Sequence, residues 1–322
     1  MRALVTGATG FIGGALVRRL LADGWDVTAL VRTPARARAL ADAGVALHPG
    51  DVTDAASVEA GIKGCDVVFH LAAWYALGAR DRARMEAINI GGTETVLRAA
   101  VDAGVPRIVY CSSATALGFN PPGVVGDETK IHEPMVGSIY EETKHRAHEH
   151  VRAMVAAGAP VVTVLPCAVY GPGDQSLMGT LIRWYAKRRL VVLPFADAEV
   201  SFVHVDDVAA GIAAAAKRGT PGDYILGGDN DQIAGLFRRA EPVTGIRAPR
   251  AHLTVRAASR FTWTSPVAAK IMRQEPDFFR DALANVRGSG MYSSAKAARD
   301  LGYTFRDAPT GLADTLQALR GR

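Results

Sequence analysis

Cysteine is scarce in this chain of 322 residues, which contains three, Cys65, Cys111 and Cys167. They are odd in number, scattered and not spaced like zinc ligands, so we expect neither a disulfide scaffold nor a bound metal. Reduced thiols of this kind are typical of the cytoplasm. Strand-like residues directly follow Met1-Arg2 and leave no room for a signal peptide, so we expect a cytoplasmic protein.

Long hydrophobic runs are also missing, although 49% of the residues are hydrophobic and only 21% are charged. No run approaches the roughly 20 apolar residues that span a bilayer, so we expect no membrane span. The net charge is +5, but the basic residues are dispersed, which argues against nucleic acid as a partner. The composition predicts a globular protein with an ample core, and a small molecule is the expected partner.

Apolar strands alternate with amphipathic helices along the chain, which predicts an α/β fold with a doubly wound parallel Rossmann sheet. The predicted strands cover residues 3–5, 27–31, 45–48, 67–70, 107–111, 161–165 and 223–226. The predicted helices cover residues 12–22, 34–43, 55–62, 85–103, 138–157 and 206–217. We expect an NAD(P)-binding Rossmann domain of residues 1–169 plus about 201–227, and a smaller C-terminal substrate-binding region of residues 170–200 and 228–322.

A glycine-rich segment, Thr6-Gly7-Ala-Thr-Gly10-Phe11-Ile12-Gly13, joins the first predicted strand to the first predicted helix. A nucleotide pyrophosphate is normally bound at such a junction. Gly7 would permit the tight turn, Gly10 would let the backbone approach the pyrophosphate, and Gly13 would allow close helix–strand packing. The cofactor-binding residues expected from this segment are Gly7, Thr9, Gly10, Phe11 and Ile12.

Tyr140 and Lys144 are four residues apart in a predicted helix, so their side chains share one face of it. A cation near a phenol favours the phenolate and lowers its pKa, which would let Tyr140 give and take protons near neutral pH. Ser138 is a good N-cap and fits a capping box with Glu141, which places Tyr140 in the first helical turn at the carboxyl edge of the sheet. Together with the glycine segment, the pair predicts a redox enzyme.

The end of the second predicted strand indicates which nicotinamide cofactor is bound. NAD-specific folds place a carboxylate there, but this chain has Arg32, followed by Arg36 and Arg38. Arginine is a forked, permanently charged donor suited to a 2′-phosphate, so NADP(H) is favoured and NAD(H) is the alternative. It stays open whether Arg36 and Arg38 only solvate the next helix.

Further motifs follow in order, and together they resemble those of the extended short-chain dehydrogenases/reductases, the NAD-dependent epimerase/dehydratase family. The resemblance covers essentially the whole chain. Besides the glycine segment and the Tyr140/Lys144 pair, the matching motifs are Gly50-Asp51-Val52, His70-Leu71-Ala72-Ala73, Asn89-x-x-Gly92-Thr93, Ser112-Ser113, Pro166-x-x-Val169-Tyr170-Gly171-Pro172-Gly173 and Phe202-Val203-His204-Val205-Asp206-Asp207.

The resemblance implies a role for each matching position. Ser113 would hydrogen-bond the substrate oxygen, Tyr140 would pass the proton, and Lys144 would hold the nicotinamide ribose while tuning Tyr140. The further cofactor contacts that it implies are Asp51 and Val52 at the adenine, Leu71, Ala72 and Ala73 beside the phosphates and ribose, and Pro166, Ala168 and Val169 at the nicotinamide carboxamide. Family members commonly dimerise through helices equivalent to 85–103 and 138–157, so a homodimer and a monomer both stay open.

The family contains reductases as well as sugar-nucleotide epimerases and dehydratases. Epimerases of the UDP-galactose type carry an Asn after the sixth strand and an Arg before a later strand, and the corresponding segments here, 164–167 and 199–205, have neither. Burying a diphosphate without such partners is unfavourable. Val31-Arg32-Thr33-Pro34 instead resembles dihydroflavonol-reductase-like members, and the stretch from Leu71 to Asp81 resembles members named hopanoid-associated epimerases.

We therefore predict an NADP(H)-dependent oxidoreductase that transfers hydride to or from a carbonyl or secondary alcohol of a small, moderately apolar substrate. The alternatives are an NAD-dependent sugar or sugar-nucleotide epimerase/dehydratase and, remotely, a non-catalytic cofactor sensor. Aromatic and apolar side chains near strand ends would line the substrate pocket if several of them converge. These candidates are Trp74, Tyr75, Phe119, Met178, Trp184, Tyr185, Phe261 and Trp263.

Overall fold

The computed structural model describes residues 1–130, 137–260, 270 and 277–320, and the candidates Phe261 and Trp263 lie outside these residues. Its strands are Arg2–Thr6 (β1), Asp26–Val31 (β2), Ala46–Pro49 (β3), Val67–His70 (β4), Arg107–Cys111 (β5), Val161–Pro166 (β6), Ala168–Tyr170 (β7), Val192–Pro194 (β8), Glu199–His204 (β9), Gly222–Leu226 (β10), Asp229–Gln232 (β11) and Ala251–Leu253 (β12).

The α-helices of the described residues are Phe11–Ala22 (α1), Arg38–Asp42 (α2), Ala55–Ile62 (α3), Arg82–Glu86 (α4), Gly92–Asp102 (α5), Ile139–Ala156 (α6), Leu177–Ala186 (α7), Val205–Arg218 (α8), Ile233–Thr244 (α9), Val255–Ser259 (α10), Phe278–Ala284 (α11), Ala295–Leu301 (α12) and Ala308–Arg320 (α13). Short 3₁₀ turns cover Pro34–Arg36 and Ala114–Leu117, and a π-helical segment covers Ala87–Gly91. None of the described helices is long and apolar enough to cross a bilayer.

Seven strands form one fully parallel sheet in the order β10-β6-β5-β4-β1-β2-β3, which confirms the predicted doubly wound Rossmann architecture. The strand order reverses direction at the neighbours β1 and β4. In such sheets, ligands bind in the crevice at the carboxyl ends of the strands where the order reverses. In this fold a ligand is therefore expected at the glycine segment after β1 and at the residues after β4.

Burial explains why the central strands are almost purely apolar. Leu4 and Val5 of β1, and Val68 and Phe69 of β4, are all completely buried although successive side chains point to opposite faces of the sheet. Helices cover both faces, so neither face of the sheet needs polar side chains.

Two predicted helices are interrupted in the structure. The helix predicted over 34–43 is a 3₁₀ turn that begins at Pro34 and is followed by the short helix α2. The helix predicted over 85–103 begins earlier, because the Asp81 carboxylate caps the backbone N–H of Arg84 at 3.0 Å. It then widens into the π-helical segment, which carries Asn89. The sequence period predicts these helical regions but not the breaks within them.

A second sheet has three strands in the order β11-β9-β7. Strand β7 is parallel to β9, and β11 is antiparallel to it. Side chains from β7, β9 and the helices α7, α9 and α13 form a separate hydrophobic core that includes Tyr170, Phe202 and Phe237. The expected domain boundary at about residue 201 falls inside β9, which pairs with β11 over residues 199–202 and with β7 over residues 202–204.

Candidate active site

The glycine segment forms a tight turn between β1 and α1. Gly7 has φ of 72°, a left-handed conformation that favours glycine, and a Cβ there would lie 2.7 Å from the backbone nitrogen of Ala72. A Cβ on Gly13 would lie 2.1 Å from the carbonyl oxygen of Gly7. Both glycines therefore have the roles predicted for them, a tight turn and a close helix–strand approach.

The N-terminus of α1 fits a phosphate group. Gly10 is the N-cap residue and offers no side chain to the first-turn N–H groups, and the first turn of α1 contains no acidic residue. The backbone donors of the first turn, which includes Phe11 and Ile12, and the positive end of the helix dipole are thus left for an anion. Thr9 and Gly10 are exposed at this edge of the sheet.

A buried hydrogen-bond chain joins this turn to the end of β4. The hydroxyl of Thr6 lies 2.8 Å from Nδ1 of His70 and accepts from the backbone N–H of Ala72 at 3.2 Å, and Nε2 of His70 lies 3.0 Å from the hydroxyl of Thr93. Burial, with a smaller contribution from Lys144, lowers the pKa of His70 to about 3. The imidazole therefore stays neutral and serves to hold Leu71, Ala72 and Ala73 against the glycine turn.

The other residues expected at the cofactor lie along the same edge of the sheet. Asp51 and Val52 come after β3 and Gly50, and the Asp51 carboxylate accepts from the backbone N–H and the hydroxyl of Thr53 at 2.9 and 2.8 Å. Arg32 follows the last residue of β2 and Arg36 lies in the 3₁₀ turn; both are exposed, and within the described chain neither forms an ion pair. Pro166, Ala168 and Val169 lie where the chain passes from the main sheet to the second sheet.

Ser113, Tyr140 and Lys144 come together at the carboxyl end of β5. The Lys144 ammonium donates to the carbonyl oxygen of Cys111 at 3.0 Å and to the Tyr110 hydroxyl at 3.2 Å, so it is fixed by the strand itself. Ser113 is half-buried, and its hydroxyl is hydrogen-bonded to that of Thr115. Ser138 caps α6 by accepting from the backbone N–H of Glu141 at 3.2 Å, which confirms that Tyr140 lies in the first helical turn.

The pKa of Tyr140 differs from the sequence-based expectation. Burial has the largest effect and raises the pKa above its ordinary value, whereas Lys144 and a hydrogen bond with the Ser113 side chain act to lower it. The net result is a phenol that keeps its proton at neutral pH. Lys144 lowers the pKa as expected, but its effect is smaller than that of burial, and the sequence could not show how deeply the phenol is buried.

Asn89 holds three segments of the site together. Its side-chain oxygen accepts from the backbone N–H of Trp74 at 2.7 Å, and its amide donates to the carbonyl of Trp74 and the hydroxyl of Thr143 at 3.2 and 3.1 Å. The π-helical segment, the loop after β4 and helix α6 are joined through this one side chain. Its position therefore explains the motif Asn89-x-x-Gly92-Thr93 as a brace.

Two of the aromatic pocket candidates, Tyr75 and Tyr185, lie in different surroundings. The ring of Tyr75 lies edge-on to that of Tyr140, with 4.8 Å between ring centroids, and Tyr75 is 51% exposed. Tyr185, by contrast, is fully buried, with its hydroxyl 2.6 Å from the carbonyl of Ile246, so it belongs to the second hydrophobic core and not to a pocket. The sequence places Tyr75 after the fourth predicted strand and Tyr185 beyond the segment expected at the nicotinamide, and neither position shows whether the ring faces a pocket or a core.

Sequence reasoning missed two contributors to the site. Tyr110 lies on β5 and contacts the Lys144 ammonium through its hydroxyl and through its ring, 4.9 Å from the centroid. Asp281 accepts from the backbone N–H of Gly78 in the loop after β4, across 203 positions of sequence. The alternation of strand residues offers a signal for Tyr110, but no local signal pairs Asp281 with Gly78.

Comparison with known proteins supports the sequence-based resemblance. A family model described as "NAD dependent epimerase/dehydratase family" matches residues 3–227. A protein of Synechocystis sp. provisionally named dihydroflavonol 4-reductase is 31% identical over 97% of this chain and 92% of its own length. A protein of Methylococcus capsulatus named sterol demethylase protein B is 30% identical over 100% of this chain and 99% of its own length.

Two solved structures share the fold over nearly the whole chain. The crystal structure of gox2253 is 34% identical, covers 99% of this chain and 98% of its own, and superposes with a TM-score of 0.83. The UDP-glucose 4-epimerase of Thermotoga maritima, solved with UDP-glucose, is 22% identical, covers 100% of this chain and 99% of its own, and has a TM-score of 0.79. At that identity the second similarity concerns the fold alone.

Proposed function

The chain belongs to the NAD-dependent epimerase/dehydratase family of extended short-chain dehydrogenases/reductases, and from this premise we propose a specific reaction for it. It transfers a hydride between NADP(H) and a carbonyl or secondary alcohol of a small, moderately apolar substrate. The observation that carries the proposal is the meeting of Ser113, Tyr140 and Lys144 at the carboxyl edge of the sheet, beside the glycine turn.

The residues divide the work of carbonyl reduction. The nicotinamide cofactor, when bound, supplies the hydride. Ser113 donates a hydrogen bond to the substrate oxygen and orients it, and Tyr140, protonated at neutral pH, gives its proton to the same oxygen. The Lys144 ammonium, fixed by the Cys111 carbonyl, stabilises the phenolate that Tyr140 leaves behind. The alcohol that forms then carries the hydride on carbon and the proton of Tyr140 on oxygen.

The preference for NADP(H) rests on charge at the end of β2. Arg32 and Arg36 are exposed and without an ion pair in the described chain, so their guanidinium groups are available to a 2′-phosphate. A carboxylate, which would accept from a ribose 2′-hydroxyl, is not found at the end of this strand, whose last residue is Val31.

Reduction is favoured over sugar-nucleotide chemistry for two reasons. The curated relatives reported above are named for a flavonoid reductase and for the processing of a sterol, which is an apolar substrate. The segments 164–167 and 199–205 also lack the amide and the cation that a UDP-sugar would require.

Replacing Tyr140 with Phe tests the proposed chemistry. We expect kcat for carbonyl reduction to fall by about a hundredfold or more, the usual contribution of a positioned acid, while the Kd of NADPH stays within about twofold. Steady-state kinetics and nucleotide titration of both proteins measure this. Unchanged turnover in the Tyr140→Phe variant would overturn the assigned proton donor.

Nucleotide released from the purified protein separates the reductase from the epimerase. A reductase exchanges its cofactor at every turnover, so we expect little retained nucleotide, or exchangeable NADP(H). An epimerase or dehydratase regenerates its cofactor within one cycle, so near-stoichiometric and slowly exchanging NAD would support that alternative and contradict the role of Arg32.

The homodimer and the division into a cofactor domain and a substrate region remain part of the proposal. A molar mass in solution of twice the 34.0 kDa of the chain would support the dimer, and a mass equal to that of the chain would contradict it.

A further inference from the structure

The loop after β4, residues 74–79 and hereafter the β4 loop, brings an aromatic side chain directly to Tyr140. The two rings meet at 87°, with 4.8 Å between their centroids, an edge-to-face geometry that aromatic pairs favour. Tyr75 nevertheless remains 51% exposed. About half of the surface of Tyr75 is therefore left open beside the phenol that would protonate the substrate.

The β4 loop is held by the C-terminal part of the chain. The backbone N–H of Gly78 donates to the carboxylate of Asp281 at 2.7 Å, and Asp281 is only 3% exposed. Gly78 has φ of 77°, and a Cβ there would lie 2.2 Å from the backbone nitrogen of Phe278. The loop thus packs backbone against backbone on the first residue of α11, and the neighbouring side chains of Leu77 and Phe278 share one hydrophobic core.

A second contact, between Arg80 directly after the β4 loop and Asp277 directly before α11, is exposed to solvent and can be compared with that of Asp281. Arg80 pairs with Asp277 at 2.7 Å, but the Arg80 side chain is 69% exposed. Exposed ion pairs contribute little to stability, whereas removing the acceptor of a buried N–H leaves that group unsatisfied. Of these two contacts, the one made by Asp281 and not the one made by Arg80 therefore positions the loop at Gly78.

The arginines that follow Tyr75 are already engaged. Arg82 pairs with Glu142 at 2.7 Å, and the Arg84 guanidinium lies 4.8 Å from the centroid of the Trp74 ring. Arg80 is taken by Asp277 as described. The surroundings of Tyr75 thus favour an apolar substrate body over a diphosphate, which would call for uncommitted cations.

We propose that the β4 loop is the substrate-side wall of the active site, with Tyr75 as a specificity-determining residue for ring-bearing apolar carbonyl compounds and Asp281 as its positioning residue. This rests on the proposed function, because the carbonyl oxygen must reach the Tyr140 hydroxyl. Once it does, the carbon skeleton next to that oxygen lies beside the ring of Tyr75, where an aromatic or polycyclic body covers the exposed ring.

The first test compares two aldehydes, 2-naphthaldehyde and butanal, as substrates of the holoenzyme with NADPH. For Tyr75→Ala we expect kcat/KM for 2-naphthaldehyde to fall about tenfold, mainly through KM, and that for butanal to fall only about twofold. Tyr75→Phe keeps the ring and should keep the preference. Wild-type protein that reduces neither aldehyde would overturn the proposed reductase and this proposal with it. Reduction of both, with the same ratio in Tyr75→Ala, would overturn the role of Tyr75 alone.

The second test concerns Asp281 and uses Arg80→Ala as the matched control. Asp281→Ala should lower the preference for 2-naphthaldehyde about as much as Tyr75→Ala, and Asp281→Asn, which keeps an acceptor for Gly78, should restore most of it. Arg80→Ala should keep the wild-type preference. Because both residues act through one wall, the double variant Tyr75→Ala/Asp281→Ala should lose little more than either single variant. Additive losses, or an equal loss for both aldehydes in Asp281→Ala, would contradict the positioning role.

Discussion

At the scale of single residues, the chemistry of the site depends on the balance of two opposing effects on Tyr140. Burial disfavours the phenolate, and the Lys144 ammonium favours it. Burial prevails, so Tyr140 is protonated at neutral pH, as the proposed carbonyl reduction requires. The Lys144 ammonium is held by the backbone of β5, so the fold itself fixes the position from which it lowers the pKa of the phenol.

The raised pKa of Tyr140 predicts the direction of the pH dependence. Reduction needs the protonated phenol, so its kcat/KM should hold through neutral pH and fall as pH rises through that pKa. Alcohol oxidation needs the phenolate and should rise over the same range. In Lys144→Met the alkaline fall should move up by about one pH unit or more, because the cation that lowers the pKa is gone. Profiles of kcat/KM against pH in both directions measure this. A fall at the same pH in both proteins would show that Tyr140 is not the titrating group.

Arg32 carries the prediction about the cofactor. Arg32→Ala should raise the Kd of NADPH about tenfold, the loss of a charge-assisted contact to the 2′-phosphate, and leave that of NADH within about twofold. Arg38→Ala is the control, since Arg38 is also exposed but lies in α2, beyond the turn that holds Arg36. Equal losses for the two nucleotides would remove the basis for preferring NADP(H).

At the scale of secondary-structure elements, the contact between α1 and the glycine turn determines where a pyrophosphate can lie. Gly13 and Gly14 are neighbours in α1 but differ in their surroundings. A Cβ at Gly13 would lie 2.1 Å from the Gly7 carbonyl, whereas a Cβ at Gly14 would have no atom closer than 3.7 Å. Only Gly13 is therefore required by the packing of helix against turn.

This difference predicts opposite effects of the same substitution. Gly13→Ala should destabilise the protein by about 2 kcal/mol, the usual penalty of overpacking, and weaken NADPH binding because the turn must shift. Gly14→Ala should be neutral or stabilise by up to about 1 kcal/mol, because alanine is the better helix former. Denaturant unfolding of the two variants, with NADPH titration, measures this pair. Equal destabilisation by both substitutions would contradict the assigned packing.

At the scale of the whole molecule, we expect the buried carboxyl of Glu141, next to Tyr140, to affect the free energy of unfolding. Glu141 is 1% exposed, and burial raises its pKa to about 7, against a smaller effect of the backbone N–H of Ser138. Its folded-state pKa lies above its ordinary value, so the folded state binds the proton more tightly than the unfolded state. Stability should therefore decline as pH rises from about 4.5 to about 7.

Glu141→Gln should remove this pH dependence. We expect the variant to gain about 2 to 3 kcal/mol over the wild type at pH values above 7, and little in mildly acidic solution, where the native carboxyl is already protonated. The control is the exposed neighbour Glu142, whose pKa is lowered chiefly by Arg82, so that Glu142→Gln should change stability slightly and with the opposite sign. Urea unfolding across this pH range measures both, and a pH-independent difference for Glu141→Gln would contradict the buried-carboxyl explanation.

The fold was predictable to a large extent because its signals are local. Strands β1 to β6 and β10 lie within one or two residues of their predicted bounds, since apolar runs between turn residues mark them directly. The break at the 3₁₀ turn Pro34–Arg36 was not predicted, although its hydrogen bonds are local. The π-helical segment at Asn89 was not predicted either, because the partners of Asn89 lie elsewhere in the chain. The same holds at the site. The sequence offered Tyr75 as one of several pocket candidates, and only the structure showed that its ring contacts that of Tyr140.

The sequence alone determined the parallel sheet, the glycine turn and the family, because these depend on periodicity, on backbone conformations open to glycine and on ordered motifs. Tertiary structure alone decided the protonation state of Tyr140, the burial of Glu141 and the anchoring of Gly78 by Asp281. The physical reason is that desolvation and long-range hydrogen bonds depend on which distant segments surround a group, and residue identity and spacing carry no measure of that.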